Sequence, residues 1–434
     1  MDVPDVRYTR SGDVAIAYQV VGEGDHDLIL LPFLANIWSF WRLYGFAEFG
    51  MKLATGRRLI VVNPRGVGLS DRPRGFTIES RMDDIRAVMD AVGAERASLL
   101  GLAESAATCA VFAASYPERV ERLILFTPYV RGVRGDDDRA RASERIRYER
   151  ERWGDRDYLE EMGKMLNPQW AEKQEYLDRF VEHHRLTASP ATIVEFRRMQ
   201  AELDISDVLP AIRVPTLVLD KKLMQPRATE VAEAIPGAEY REVPGDGFAL
   251  WENDFALEAI DEFLAGAAPR QVPDSVLATV LFTDLVGSTE RAAQLGDRAW
   301  RDVLTRHHDD VRRELTRFRG EEVDTAGDGF FCRFEGPARA MACAQAIVES
   351  AHALDLRVRA GIHIGECERV GEKIAGIAVV TGSRISSLAG PGEILVSSTV
   401  KDLVAGSGFS FDDRGEHELK GVPGTWRLYA VADG

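Results

Sequence analysis

The sequence predicts two domains, a mostly parallel α/β sheet carrying a helical cap and then a smaller α+β domain. Three observations lead there. A chain of 434 residues that is 45% hydrophobic can bury two separate cores. Its first 265 residues alternate short, continuously apolar runs with amphipathic stretches, as strands covered on both faces do. The segment "GAAPRQVPDS", residues 266–275, is rich in Pro, Ala and Gly and follows the helix-like "FALEAIDEFLAG", which marks a linker. The expected boundaries are therefore 1–265, a linker at 266–275, and 276–434.

In the first domain "VAIAYQVVG", "DLILLPFL", "RRLIVVNPRG", "RASLLGL", "VERLILFTP" and "VPTLVLD" read as strands. Between about residues 131 and 209 the pattern turns to charged helical sequence without a strand, "RARASERIRYERERW" and "YLEEMGKML", which suits a cap inserted between strands. The acidic "RGDDD" run there reads as a solvated loop. The second domain opens on the strand "VLATVLFTDL" and continues helix, strand hairpin, helix, strand, an order that fits a sheet covered on one face by helices.

The formal net charge of −16 argues against nucleic acid or an anionic membrane as partner, because those are recruited by clustered Lys and Arg. A small anionic ligand bridged by a metal ion is compatible with it. Cys109, Cys332, Cys343 and Cys367 form no C-x-x-C pair, which suits buried or idle thiols in a reducing compartment. No run approaches a membrane span, and "MDVPDVRYTRSGD" lacks the apolar core of a signal peptide. A cytoplasmic protein is expected.

Two aspartates suggest chemistry in the second domain. Asp284 ends an apolar strand just before Gly287, Ser288 and Thr289, where free backbone N–H groups entering a helix can cradle phosphates. Asp328 sits in a G-D-G turn between strand-like arms, which can bring a second carboxylate beside the first. Together they could hold two metal ions; each alone also reads as an ordinary cap or turn aspartate.

The pieces "VLFTDLVGST", "VDTAGDGFFCRF", "RAGIHIGEC", "GIAVVTGSRISSLAGPGEILVSSTV" and "RGEHELKGVPGTWRLY" occur in the order seen in class III nucleotide cyclases. The resemblance covers nearly all of residues 276–434. It implies an α+β, ferredoxin-like core, a head-to-tail homodimer with active sites at the interface, and two divalent cations, Mg2+ or Mn2+, per site. It also implies conversion of a nucleoside triphosphate to the 3′,5′-cyclic monophosphate and pyrophosphate. By that resemblance Asp284 and Asp328 are metal ligands, Arg384 neutralises charge on the transferring phosphate, and Lys420 contacts the triphosphate.

Three positions depart from the adenylate members. Asp324 replaces a lysine, Lys373 replaces an aspartate, and Val380 replaces the asparagine that positions the ribose. The first two exchange the charges of the pair that reads the base. Adenine presents an acceptor at N1 and a donor at N6, whereas guanine presents a donor at N1 and an acceptor at O6. An Asp324 and Lys373 pair therefore complements guanine, and uracil shares that pattern. Guanylate members carry a glutamate at the Asp324 position, although their second residue is not lysine. The alternative is that Asp324 and Lys373 pair with each other across an empty pocket, and the valine at 380 favours a slow or inactive enzyme.

The first domain resembles an α/β-hydrolase through "RRLIVVNPRGVGLSDRP", "ASLLGLAESAATCAVFAASYPERVERLIL", "PTLVLD" and "REVPGDGFALWEND". The nucleophile turn of that family reads G-x-S-x-G; here Ala103 stands in the serine's place, with Ser105 two residues on. Phe248 falls where the histidine belongs, the acid expected in "KKLMQP" is missing with Asp220 slightly early, and the loop "FLANIW" lacks the usual glycine. A triad acts as a unit, so no serine-hydrolase activity is expected. What remains is an apolar pocket under the cap lined by Phe33, Leu102, Ala103 and Phe248, suited to a small apolar ligand in a regulatory domain or to an inert scaffold. Two functions follow: a cyclase regulated by a pseudo-hydrolase, or a catalytically silent sensor of nucleotide or apolar ligand.

Overall fold

The computed structural model describes residues 3–73, 75–133, 135–221, 227–266, 275–371 and 373–432. The chain divides into two compact units, Met1–Pro273 and Asp274–Gly434.

The first unit is built on eight strands: β1 (Arg7–Ser11), β2 (Val14–Val21), β3 (Asp27–Leu31), β4 (Arg58–Val62), β5 (Ala97–Leu102), β6 (Val120–Phe126), β7 (Thr216–Lys221) and β8 (Glu239–Val243). They lie in the order β1-β2-β4-β3-β5-β6-β7-β8. From β4 to β8 all neighbours are parallel, and β1 and β2 add an antiparallel edge. Central strands such as β3 and β5 are buried at every residue, which explains their unbroken apolar sequence. The helix Ser105–Ser115, also buried throughout, packs so closely on β5 that a Cβ added at Gly101 would stand 2.7 Å from Ala106 Cα and 2.9 Å from Cys109 Sγ.

Four helices, Gly135–Arg152, Arg156–Leu166, Gln174–Thr187 and Pro190–Glu202, lie between β6 and β7. The acidic run is not a loop: Asp136, Asp137 and Asp138 form the first turn of the helix Gly135–Arg152, where carboxylates meet the positive end of the helix dipole. Glu149 of that helix is buried, and it binds Arg197 and Arg145 together, at 2.8 and 3.0 Å.

The second unit holds β9 (Ser275–Leu285), β10 (Glu321–Ala326), β11 (Gly329–Phe334), β12 (Val358–Val370), β13 (Lys373–Ala375), β14 (Ile394–Ser397), β15 (Phe411–Glu418) and β16 (Thr425–Val431). Their order is β10-β11-β9-β12-β14-β16-β15, with β13 paired to β12. All contacts are antiparallel except β12 with β14. The long helices Asp297–Arg317 and Pro337–Ala353 bury Val311, Leu315, Met341 and Ile347. On the helix Ile377–Leu388 a Cβ at Gly382 would meet Val280 Cγ2 at 2.6 Å, so this helix sits hard against β9. Among the described residues no helix is long and apolar enough to cross a membrane.

Candidate functional site

Asp284 is the next-to-last residue of β9, and Asp328 occupies the turn joining β10 to β11. The register pairing Phe330 with Thr283 carries that turn to the end of β9. A Cβ on Gly329, next to Asp328, would stand 3.6 Å from Asp284 Oδ1. Asp328 Oδ2 is buried with no hydrogen-bond partner among the described residues. An orphaned carboxylate oxygen beside a second carboxylate matches the hard-oxygen preference of Mg2+ or Mn2+. Among the described residues no set of three or more His, Cys, Asp or Glu is gathered for a metal ion; the carboxylates brought together here are these two. Past Asp284 the chain turns through Gly287, in a left-handed conformation (φ 71°), into the helix Ser288–Leu295, which has no side-chain cap. Its first N–H groups, at Ser288 and Thr289, have no partner within the helix.

Sequence reasoning overlooked Arg359. It faces Asp284 in the β12–β9 register, and its Nε donates to Asp284 Oδ2 at 3.0 Å. The arginine opens "RAGIHIGEC" one strand away from the aspartate, and only the strand pairing joins them.

The other expected residues come together in two further pairs. Lys373 Nζ lies 3.6 Å from Asp324 Oδ2, both side chains more than half exposed at 62% and 64%. Arg384 Nε donates to the Lys420 carbonyl at 3.1 Å, which fixes the helix Ile377–Leu388 to the turn after β15. Val380, one helical turn before Arg384, is exposed.

In the first unit the bend of a nucleophile turn is present without its nucleophile. Ala103 has φ 50°, in the left-handed region that non-glycine residues rarely occupy. Its N–H donates to the Phe126 carbonyl at 2.9 Å, and its carbonyl accepts from the Tyr129 N–H at 3.0 Å. Ser105 begins the following helix and donates to the Pro32 carbonyl at 3.0 Å, fully buried. Phe248 packs on Phe33 with ring centroids 5.8 Å apart. The segment 222–226, where the missing acid was sought, lies outside the described residues. Asp220 is buried within β7.

Glu104 follows Ala103, and its Oε1 accepts the Leu34 backbone N–H at 3.3 Å. In a working hydrolase the N–H after the nucleophile and one from the loop after β3 receive the oxyanion; here a carboxylate already sits on the loop donor. Burial pushes the Glu104 carboxyl up to about 7, against the pull of Arg81 and of the backbone N–H groups.

The space beneath the cap holds the expected apolar pocket at Phe33, Leu102 and Phe248, but Ala103 opens onto a second cavity that Phe33 and Phe248 also line. Leu102 lines a small cavity of about 60 Å³ among aromatic side chains. Ala103 instead lines a larger one of about 480 Å³ that also reaches Asp220, Thr127 and Arg197. Residues 102 and 103 diverge because the strand ends in a sharp bend between them. The larger cavity is therefore polar at several points.

Comparison with known proteins identifies the fold of each unit. The alpha/beta hydrolase fold family matches residues 33–254, and the adenylate and guanylate cyclase catalytic domain matches residues 271–433. A Mycobacterium tuberculosis protein named pH-sensitive adenylate cyclase MT1302 is 29% identical over 279 residues, 59% of this chain and 66% of its own, just under two thirds of its length. The putative carbamate hydrolase RutD of a Caulobacter species is 27% identical over 274 residues, 60% of this chain and 99% of its own. A hydrolase structure from Pseudomonas aeruginosa superposes with a TM-score of 0.51 at 23% identity, over 60% of this chain and 99% of that one, which supports the fold. The chain belongs to the alpha/beta hydrolase fold family and carries behind that domain an adenylate and guanylate cyclase catalytic domain.

Proposed function

We propose that the protein is a class III nucleotide cyclase that acts as a homodimer on a purine nucleoside triphosphate, GTP in preference to ATP, with the N-terminal pseudo-hydrolase as its regulatory, ligand-sensing domain. The observation that carries this reading is the approach of Asp328 to Asp284 at one strand end, one oxygen of Asp328 being buried with no partner among the described residues. In the reaction the ribose 3′-oxygen bonds to the α-phosphorus as the bond to pyrophosphate breaks, and the hydroxyl proton passes to water.

Asp284 and Asp328 would hold the two cations, with phosphate oxygens and water filling the remaining positions. When bound, the cations lower the pKa of the attacking hydroxyl and neutralise the departing pyrophosphate. The N–H groups at Gly287, Ser288 and Thr289 face the same end of β9 and can receive phosphate oxygens. Arg384 and Lys420 supply positive charge where negative charge grows during transfer. Their hydrogen bond at 3.1 Å makes them one unit, so a partner chain would present both together. The homodimer assignment supplies the reason: each protomer brings a metal half and a base-and-phosphate half.

Asp324 would accept from guanine N1–H while Lys373 donates to O6. Their 3.6 Å separation supports a joint role, since one base edge must reach both. An exposed pair of this kind contributes about 0–1 kcal/mol, so opening it to admit a base costs little. Adenine would leave mismatched donors and acceptors at about 1–3 kcal/mol each.

Two observations favour the second reading, a silent sensor: Val380 offers no hydrogen bond to a ribose, and Asp324 and Lys373 are already closed on each other. Incubating the full-length protein with Mn2+ and each of the four ribonucleoside triphosphates, with products identified by mass, decides. Cyclic GMP exceeding cyclic AMP, and lost at least 100-fold in Asp328→Asn, is the expected result. No cyclic product from any nucleotide would establish the sensor.

A further inference from the structure

The cavity of about 480 Å³ over Ala103 contains two polar groups with nothing to bind. Asp220 is fully buried on β7, and neither of its carboxyl oxygens makes a well-formed hydrogen bond among the described residues; the neighbouring Lys221 backbone N–H only offsets part of the cost of its burial. Thr127 Oγ1, just past β6, is buried and equally unpartnered, although its backbone N–H is held by the Leu219 carbonyl at 2.8 Å. Both residues line the cavity floor. Buried acceptors are almost always satisfied in folded proteins, so two orphans in one wall ask for a donor from the space they face.

The cation next to Asp220 in the strand is committed elsewhere. Lys221, adjacent in the strand, reaches the opposite way and bonds Glu252 at 2.6 Å and the Pro244 carbonyl at 3.0 Å. On β8 the residue registered opposite Asp220 is Glu242, which adds negative charge. The roof differs: Arg145 and Arg197 line it and share one carboxylate, Glu149. Between floor and roof the walls are apolar, with Trp153, Met162, Met165 and Phe248. Such a space is within the size range of small-molecule sites.

We infer that the cavity binds a small amphiphile whose hydrogen-bond-donating head, a primary amine or hydroxyl, is received by Asp220 and Thr127 while its apolar body lies against Trp153, Met162 and Phe248. This rests on reading the N-terminal unit as a ligand-holding domain that does no covalent chemistry. It replaces the purely apolar ligand that the sequence suggests. Burial pushes the Asp220 carboxyl up to about 6, so near neutral pH it is an anion that an ammonium head satisfies best.

Calorimetric titration of the full chain with octylamine, octanol and octanoate, three probes of one chain length, tests this directly. Octylamine is expected to bind most tightly, octanol next, and octanoate at least 10-fold more weakly than octylamine. Asp220→Asn should erase the amine's advantage over the alcohol, and Met162→Trp, which fills the apolar wall, should weaken both. Octanoate binding as well as octylamine, or no binding by any probe because water alone fills the cavity, would overturn the assignment; the wild-type comparison decides even if a variant misfolds. Cyclase rate measured with and without octylamine is a separate readout. Binding without a change in rate would remove the sensor role and leave the ligand assignment standing.

Discussion

Glu104 turns its carboxylate back onto the backbone N–H of Leu34, 3.3 Å away, so the donor that would stabilise an acyl-transfer intermediate is taken by the chain itself. Restoring the missing oxygen should therefore not restore hydrolysis. Ala103→Ser places a hydroxyl at the bend, but Phe248 supplies no base and the loop donor is engaged. We expect no burst of nitrophenol from p-nitrophenyl acetate in either wild type or Ala103→Ser. A burst from the single variant would mean that Glu104 gives up the N–H when substrate arrives.

The same carboxylate makes a pH prediction. Its folded pKa of about 7 stands above the ordinary glutamate value of 4.5, so between those values the folded chain binds more protons than the unfolded chain. Stability from this group is then full below about pH 4.5 and falls as pH rises through 7. The loss is about 3 kcal/mol. Other buried groups titrate as well, His184 among them with its pKa lowered to about 4 by burial, so the measurement must be a difference. Urea unfolding of wild type and Glu104→Gln at pH 5 and pH 8 should show wild type losing about 2.5 kcal/mol relative to the variant. A parallel pH response of the two proteins would refute it.

Base selectivity should follow the charges at 324 and 373. The double exchange Asp324→Lys with Lys373→Asp is expected to reverse the preference from GTP to ATP, and each single change should weaken both. Because the two side chains are mostly exposed, the melting temperature should hardly move. An unchanged ratio of cyclic GMP to cyclic AMP in the double variant would detach these residues from the base.

Glu149 should be the most sensitive ion-pair residue of the helical insertion. Burial works against its charge, yet Arg197 and Arg145 hold its carboxyl below the usual range. Glu149→Ala leaves Arg197, only 8% exposed, without its counter-ion. Such losses cost about 3–5 kcal/mol, visible in the melting temperature of the first unit. A shift near zero would show that Gln200, whose Oε1 accepts from Arg197 Nη1 at 2.9 Å, suffices as a partner.

What the sequence reveals depends on how local the signal is. The buried strands β3, β5 and β6 announce themselves because nothing polar interrupts them. The edge strand β1, "RYTRS", and β8, "EYREV", escape notice, since they are largely exposed and carry the polar residues edge strands need. Asp284 and Asp328 are readable from short motifs, whereas Arg359 becomes visible only through the register of two strands distant in sequence. The elbow's losses are equally plain in the letters, but Glu104 on the Leu34 N–H is a tertiary event between residues 70 apart in sequence. Asp220 shows the converse: its letter is ordinary, and its isolation exists only in the folded chain.

The bend at Ala103 is kept here although the residue at its crest carries no side-chain oxygen. A left-handed alanine carries a cost of about 1–3 kcal/mol, and the close seating of Ala106 on Gly101 shows what sustains it: a buried strand must reverse abruptly into a buried helix. The crest of that reversal is thus an architectural fixture, a mounting point above a hollow. Whatever residue stands on it, reactive or mute, inherits an outlook onto captured molecules, and a fold of this kind can exchange transformation for perception without moving a single strand.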